Sequence, residues 1–235
     1  KITNEALIQI IDNKEEKQFT SVVFKENWHK GVIGIVASRL IETYYRPTLV
    51  FTKSGDKLAA SARSVKGFDI YNALDKCEEF IEQFGGHKYA AGLTLLPENY
   101  ENFKNKFENI VETTISRDLL TPEIMIDAEI DLSEITPKFY RIIEQMGPFG
   151  PQNSKPTFKT SSVRDNGYGK QVGADKTHLK LNLISGTDKK TYNAIGFNLG
   201  NKISTIQNDF DIVYAWDENE WNGVKSIQLL IKDLQ

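Results

Sequence analysis

Apolar residues recur at helical spacing through much of the first half of the chain and alternate in short runs through the second. Residues 6–11 read as the end of a helix. Residues 19–24 (FTSVVF) are rich in β-branched and aromatic side chains and predict a strand. Ile33, Val36, Ala37, Leu40, Ile41 and Tyr44 share one face of a helix over 31–45. It stops at Arg46-Pro47, because proline disfavours helical geometry in the residue before it. A strand over 48–52 follows, and this strand–helix–strand succession is normally a right-handed parallel unit. The turn Ser54-Gly55-Asp56 leads to a third strand over 58–64. A second amphipathic helix is predicted over 69–84, closed by Gly85-Gly86. A short strand over 93–96 and a long helix over 97–115 complete this half; Tyr100, Phe103, Phe107, Ile110 and Val111 share that helix's apolar face.

The pattern changes near residue 120. Residues 125–132 (MIDAEIDL) alternate as a strand, Thr136-Pro137 opens a short helix ending at Gly147, and GPFGPQN reads as a rigid turn region. Strand-like runs then cover 157–164, 178–184, 191–197, 210–216 and 226–231, with a helical stretch over 202–207 between the third and fourth. Five strands with a helix before the fourth is the element order of an OB barrel. The expected fold is an α/β domain over 1–118, a mixed sheet with flanking helices, followed by an all-β OB-like barrel over 119–235 with its linker strand and helix.

Hydrophobic residues at 40% and charged residues at 26% let both halves bury a core. No apolar run reaches the roughly 20 residues of a membrane span, and residues 1–17 contain no signal-peptide core. A start at Lys1 rather than methionine reads as an excised or processed chain. The single cysteine, Cys77, has no disulfide partner within the chain, so a reducing, cytoplasmic home is expected. The net charge of -3 argues against a general nucleic-acid binder, but its distribution is uneven. Lys155, Lys159, Arg164, Lys170, Lys176, Lys180, Lys189 and Lys190 make 155–190 basic, while acids dominate 209–220. A basic face of this kind could track a phosphate backbone or simply be solvated.

Three segments carry candidate chemistry. In Gly85-Gly86-His87, followed by the small residues 90–92, glycines permit positive φ and close backbone approach, and successive N–H groups can cradle an anion. Alone, the segment also reads as a helix cap with a polar turn residue. In Ala60-Ser61-Ala62-Arg63, strand alternation sets the Ser61 hydroxyl and the Arg63 guanidinium on one face, a pairing suited to phosphate. The bland alternative is an exposed edge strand. In Trp28-His29-Lys30-Gly31 a turn feeds the N-terminus of the helix that carries Arg39. Trp28 could stack a base or pack in the core; Gly31 and Gly34 read as permitting close helix–sheet packing. The only histidines are His29, His87 and His178, and no Asp-His-His triplet occurs, so a two-metal hydrolytic centre is not expected within this chain. A Ser61–His87–Asp69 triad lacks any nucleophile-elbow pattern and is set aside. In the second half, Phe158, Tyr168, Tyr192 and Phe197 could stack bases, and Lys159, Arg164, Lys170, Lys176 and Lys180 could track phosphates, although most strand aromatics are core.

Taken together, WHKGVIGIVASRL, the SARS stretch with FDIYNAL behind it, FGGHKYAAGLTL and ITPKFYRIIEQMGPFGPQN resemble the RecJ family of single-strand-specific exonucleases over nearly the whole chain. The resemblance implies a DHH-associated domain followed by an OB domain. An upstream DHH domain would hold manganese or magnesium, and this chain alone would be inactive, binding no metal. It implies a substrate-binding half of a 5′-to-3′ single-stranded-DNA exonuclease of DNA repair and recombination. Ser61, Arg63, Gly85, Gly86 and His87 would meet substrate phosphates, with His29 and Arg39 as further candidates and His87 as an assisting residue. Single-stranded DNA, the upstream domain and a single-strand-binding protein or helicase would be partners; a membrane would not. Lys30 departs from the proline expected after Trp-His in this family. Two alternatives stay open: a non-catalytic single-strand-binding module, and a DHH-type phosphoesterase for short oligonucleotides or cyclic dinucleotides, against which the OB half argues.

Overall fold

The computed structural model describes residues 1–150, 152–185, 190–221 and 223–235. They form two compact units, Lys1–Glu123 and Ile124–Gln235. The first extends to Glu123, since Leu119 and Leu120 pack on its core.

The first unit is built on a five-stranded sheet in the order β1-β2-β3-β5-β4. Its strands are β1 (Ser21–Phe24), β2 (Thr48–Ser54), β3 (Lys57–Arg63), β4 (Gln83–His87) and β5 (Ala90–Leu95). β1 and β2 pair in parallel, joined by helix α2 (Ile33–Thr43), and the other pairings are antiparallel. One sheet face carries Leu49, Phe51, Leu58, Ala60, Ala62, Leu93 and Leu95. Helices α3 (Ile70–Asp75) and α4 (Tyr100–Thr114) cover it, with Phe103 and Phe107 stacked 5.8 Å apart. On the other face Val23 and Val50 meet Ala6 and Ile10 of helix α1 (Ile2–Asp12) and Val36, Ala37 and Leu40 of α2. That second cluster takes no residue from β4 or β5, so the sheet is left bare there.

Trp28 belongs to this second cluster. It is 5% exposed and donates from Nε1 to Glu5 Oε2 at 2.9 Å, so it offers no ring to a base. Cys77 is fully buried, and burial pushes its thiol up to about 12, which keeps it protonated and unreactive.

The helix expected over 69–84 is shorter. Asp69 caps α3 by accepting from Asn72 N, the helix ends at Asp75, and a single 3-10 turn at Glu78–Phe80 precedes β4. Gly85 and Gly86 are therefore strand residues, not a helix cap. The ladder with β5 outcompetes further helix, because it pairs Phe84 with buried Leu93 and sets Gly85 opposite Gly92.

The second unit contains the strands β6 (Ala128–Glu129), β7 (Phe158–Asp165), β8 (Lys170–Val172), β9 (His178–Ser185), β10 (Tyr192–Gly196), β11 (Phe210–Trp221) and β12 (Val224–Leu234). β7 pairs with both β9 and β11, β9 with β10, β10 with β12 in parallel, and β12 with β11. That circuit closes the barrel. A 3-10 helix at Gly200–Gln207 precedes β11. Leu179, Leu181, Leu183, Ala194, Ile212, Tyr214, Trp216, Leu229 and Ile231 fill the interior. Helix α5 (Pro137–Glu144) is capped by Thr136, whose Oγ1 accepts from Phe139 N at 3.1 Å, and Phe139 packs edge-on against Trp216 at 5.1 Å. The strand expected over 125–132 shrinks to β6, because its flanking apolar residues Met125 and Ile126 are exposed instead of alternating into the core. β8 has no counterpart in the hydrophobic pattern; it is three residues long and pairs with β9.

Candidate nucleic-acid interface

The bare part of the first sheet is organised by strand register. On the face shared with α1 and α2, Ser61 lies between Val50 of β2 and Gly92 of β5, and Gly92 lies opposite Gly85 of β4. The next row is Thr48, Arg63, Ala90 and His87. On the other side comes Thr52, Ala59, Thr94 and Gln83. Rows on one face repeat every two residues, roughly 7 Å apart, and Arg63 stands two strands, roughly 10 Å, from His87.

The Arg63 guanidinium lies back along its own strand. Nη1 donates to Ser61 Oγ at 3.0 Å and to Ala62 O at 2.8 Å. Among the described residues no carboxylate comes within ion-pair distance of it, so a half-buried positive charge remains uncompensated. Ser61, having accepted from Arg63, keeps its own hydroxyl proton to donate. Beside them the surface is nearly all backbone. A Cβ on Gly85 would meet nothing within 4 Å, and one on Gly92 only Ala60 O at 3.7 Å. Gly86 has φ +149, and a Cβ there would fall 2.4 Å from Ala90 O, so only glycine closes this hairpin. The tip is tied down by Ser64 N to Tyr89 O at 3.1 Å and Ile70 N to Lys88 O at 3.0 Å. His87 is thereby held exposed at the end of the shelf. A hollow of about 290 Å³ lies along it, lined by Lys30, Ala59, Gln83, Gly85, Gly92 and Thr94 among others.

The structure brings Ser61, Arg63, Gly85 and His87 onto one face. It does not bring Arg39 there: Arg39 is exposed and sits about 140° around α2 from Gly34. The ring of His29 folds into its own turn, where Nδ1 accepts from Gly31 N at 3.1 Å. Its neighbour Lys30 reaches the hollow instead and donates to Ser54 Oγ at 3.3 Å.

The barrel sorts its candidates. Lys159 pairs with Asp211 at 2.9 Å, a contact that raises its pKa, and Arg164 holds Asp209 with both Nε and Nη2. Both cations are already neutralised by the acids of 209–220. Tyr192 is a correction: it is 6% exposed, its ring packs in the core beneath Lys190 Nζ at 4.6 Å, and it cannot stack a base from outside. Phe158 is core for the same reason. Lys176 occupies the turn before β9 with φ +54. Lys170 and Lys180 differ from the rest. They face each other across β8 and β9, neither is paired with an acid among the described residues, and they line a hollow of about 330 Å³ with Tyr168, Leu181, Asn182 and Asn193. Opposed like charges destabilise a sheet, a cost that an anion relieves. Tyr168 is 72% exposed, and Phe197, 60% exposed, meets the His178 ring edge-on at 5.2 Å. Among the described residues no group of three or more His, Cys, Asp or Glu is arranged to hold a metal ion.

Residues 16–113 match the family model of the DHHA1 domain, and residues 126–233 that of the RecJ OB domain. The chain is a DHHA1 domain followed by a RecJ OB domain. It is 33% identical over 238 residues to the single-stranded-DNA-specific exonuclease RecJ of Bacillus subtilis (strain 168), covering 99% of this chain and 30% of that protein. To the RecJ of Escherichia coli (strain K12) it is 28% identical over 222 residues, 90% of this chain and 37% of that one. Its fold matches the crystal structure of RecJ from Thermus thermophilus in complex with Mn2+, with a TM-score of 0.75 at 22% identity, covering 100% of this chain and 34% of the other. The chain thus spans about a third of the length of the RecJ proteins it matches.

Within the DHHA1 domain, sequence reasoning overlooked Gln83 and Thr94, whose place on the shelf depends on the pairing of β4 with β5. In the RecJ OB domain it overlooked Asn182 and Asn193, which flank the lysine pair and bond to each other at 3.1 Å. The alternation of β9 and β10 carries that signal once the inward residues are known.

Proposed function

We propose that this chain is the substrate-gripping part of a longer metal-dependent exonuclease that degrades single-stranded DNA from 5′ to 3′. The DHHA1 domain grips backbone phosphates at Ser61, Arg63 and His87, and the Gly85–Gly92 shelf lets the strand lie against the sheet. The OB domain guides the strand over Lys170, Lys180, Tyr168 and Phe197. One observation carries the reading: a half-buried arginine with no acidic partner among the described residues, held by a serine beside an open backbone surface. The Thermus RecJ was solved with Mn2+ and with Mg2+. The described residues here offer no cluster that fits such an ion, so we assign its ligands to an upstream DHH domain and the present chain to binding alone.

Fluorescence anisotropy with single-stranded and duplex oligonucleotides at rising salt tests the binding. The chain is expected to prefer the single strand and to lose affinity as salt rises, because neutralised phosphates release counterions. A duplex preference or salt-independent binding would contradict the proposal. Incubation with manganese or magnesium is expected to leave single-stranded DNA intact. Turnover that persists through purification and vanishes in His87→Ala would move catalysis into this chain.

A further inference from the structure

We infer that Gly34 is a positioning residue for Arg63, an inference that rests on the phosphate-gripping reading above. Gly34 is the second residue of α2, and its missing side chain leaves room that Arg63 and Ser61 occupy. A Cβ built on it would lie 2.9 Å from Arg63 Nη2, 3.0 Å from Ser61 Oγ and 3.6 Å from Arg63 Cζ. The first turn of the helix therefore forms a wall against the guanidinium. Arg63 is confined between that wall and β3, with Nη1 fastened to Ser61 Oγ and Ala62 O. The position is not one the helix favours electrostatically. Helix N-termini are positive, and no side chain caps this one, so α2 adds no attraction for a cation. Hydrogen bonds and confinement hold the guanidinium in place. A free arginine side chain has many rotamers to lose on binding; this one has lost most of them before the ligand arrives.

Glycine is otherwise a poor choice here. It weakens a helix relative to alanine, and Gly34 does not have the positive φ that would require it. Alanine should therefore be tolerated by the fold, since the atom it crowds most is the far end of a flexible side chain. What alanine displaces is the guanidinium.

The test uses this chain, a fluorescein-labelled single-stranded oligothymidine, and the variants Gly34→Ala, Gly34→Ser, Arg63→Ala and Gly34→Ala/Arg63→Ala, each with a thermal melt. Gly34→Ala is expected to melt at or above the parent temperature yet bind about five-fold more weakly, with Gly34→Ser weakened similarly. In the Arg63→Ala background, Gly34→Ala should weaken binding much less, through its remaining contact with Ser61 Oγ alone, and again without lowering the melting temperature. A purely structural glycine would instead lower the melting temperature and weaken binding equally in both backgrounds, and that result would overturn the inference. So would parental binding by Gly34→Ala when Arg63→Ala is weakened, or loss of fold in both Gly34 variants. If Arg63→Ala itself binds like the parent, the phosphate-gripping reading fails, and the role of Gly34 falls with it.

Discussion

Arg63→Ala is expected to weaken single-stranded DNA binding by about ten-fold or more, because a charge-assisted hydrogen bond contributes roughly 1.5–3 kcal/mol. The melting temperature should barely move, since the side chain is half-buried and its bonds are to a neighbouring hydroxyl and its own strand. Three features make the loss large for one residue. No acid competes for the guanidinium among the described residues. The side chain is already ordered against Ser61 and Gly34. Gly85 and Gly92 leave the approach clear. Arg63→Lys should recover only part of the affinity, because an ammonium keeps the charge and loses the planar fork. In the exonuclease proposed above, the same change should lower turnover, since a slack phosphate would no longer be held in register with the reacting centre. Anisotropy titration of the three proteins at one salt concentration decides it. An Arg63→Ala protein that melts and binds like the parent would reduce Arg63 to an ornament of the sheet.

Arg46→Ala should act in the opposite way, on stability and not on binding. Arg46 is 4% exposed. Its Nε donates to Ser21 Oγ at 2.8 Å, and its Nη1 to Glu16 O at 3.0 Å and Gln18 O at 2.6 Å, with the Tyr44 ring 4.8 Å away. Burial lowers its pKa from the ordinary arginine value, against which Glu108, Tyr44, Glu15 and Glu16 act. One side chain thus fastens the segment before β1 to the end of α2. Truncation strands buried Ser21 Oγ and half-buried Gln18 O, frees Glu16 O on an exposed residue, and opens a void, an expected loss of about 3 kcal/mol. Urea unfolding should show a lower midpoint at an unchanged slope. Folded protein should still bind DNA, since Arg46 takes no part in the shelf. A loss under about 1 kcal/mol would mean that water replaces the guanidinium at little cost.

The layout of both units is legible in the hydrophobic pattern, because a parallel strand–helix–strand unit and a five-stranded barrel each impose a period that survives in Ile33–Leu40 and in Leu179–Leu183. Misreadings arise where local and long-range signals compete. Phe80, Ile81 and Phe84 fit a helical stripe as well as a strand, and only pairing with β5, a contact between segments, makes Gly85 and Gly86 strand residues. Tyr192 and Phe158 look like platforms for bases because alternation reveals two faces without saying which is inside; Ala194 and Gly196, too small to mark a core, share the inward face with Tyr192. Arg63 is legible because its alanine neighbours point to the core. The wall supplied by Gly34 is not, since it is a meeting of a helix and a strand nearly thirty positions apart.

The register of β3 constrains how such a site can drift in evolution. Leu58, Ala60 and Ala62 face the core while Ser61 and Arg63 face the shelf. With Lys57 held in register, one residue inserted or deleted directly after it would turn the serine and arginine inward and three apolar side chains out. Insertions are tolerable only where the strand has not begun, at the turn where Gly55 takes φ +68 with open space around it. The distance from that turn to the arginine is therefore a reading frame in its own right: substitutions can accumulate along it, but its length cannot change.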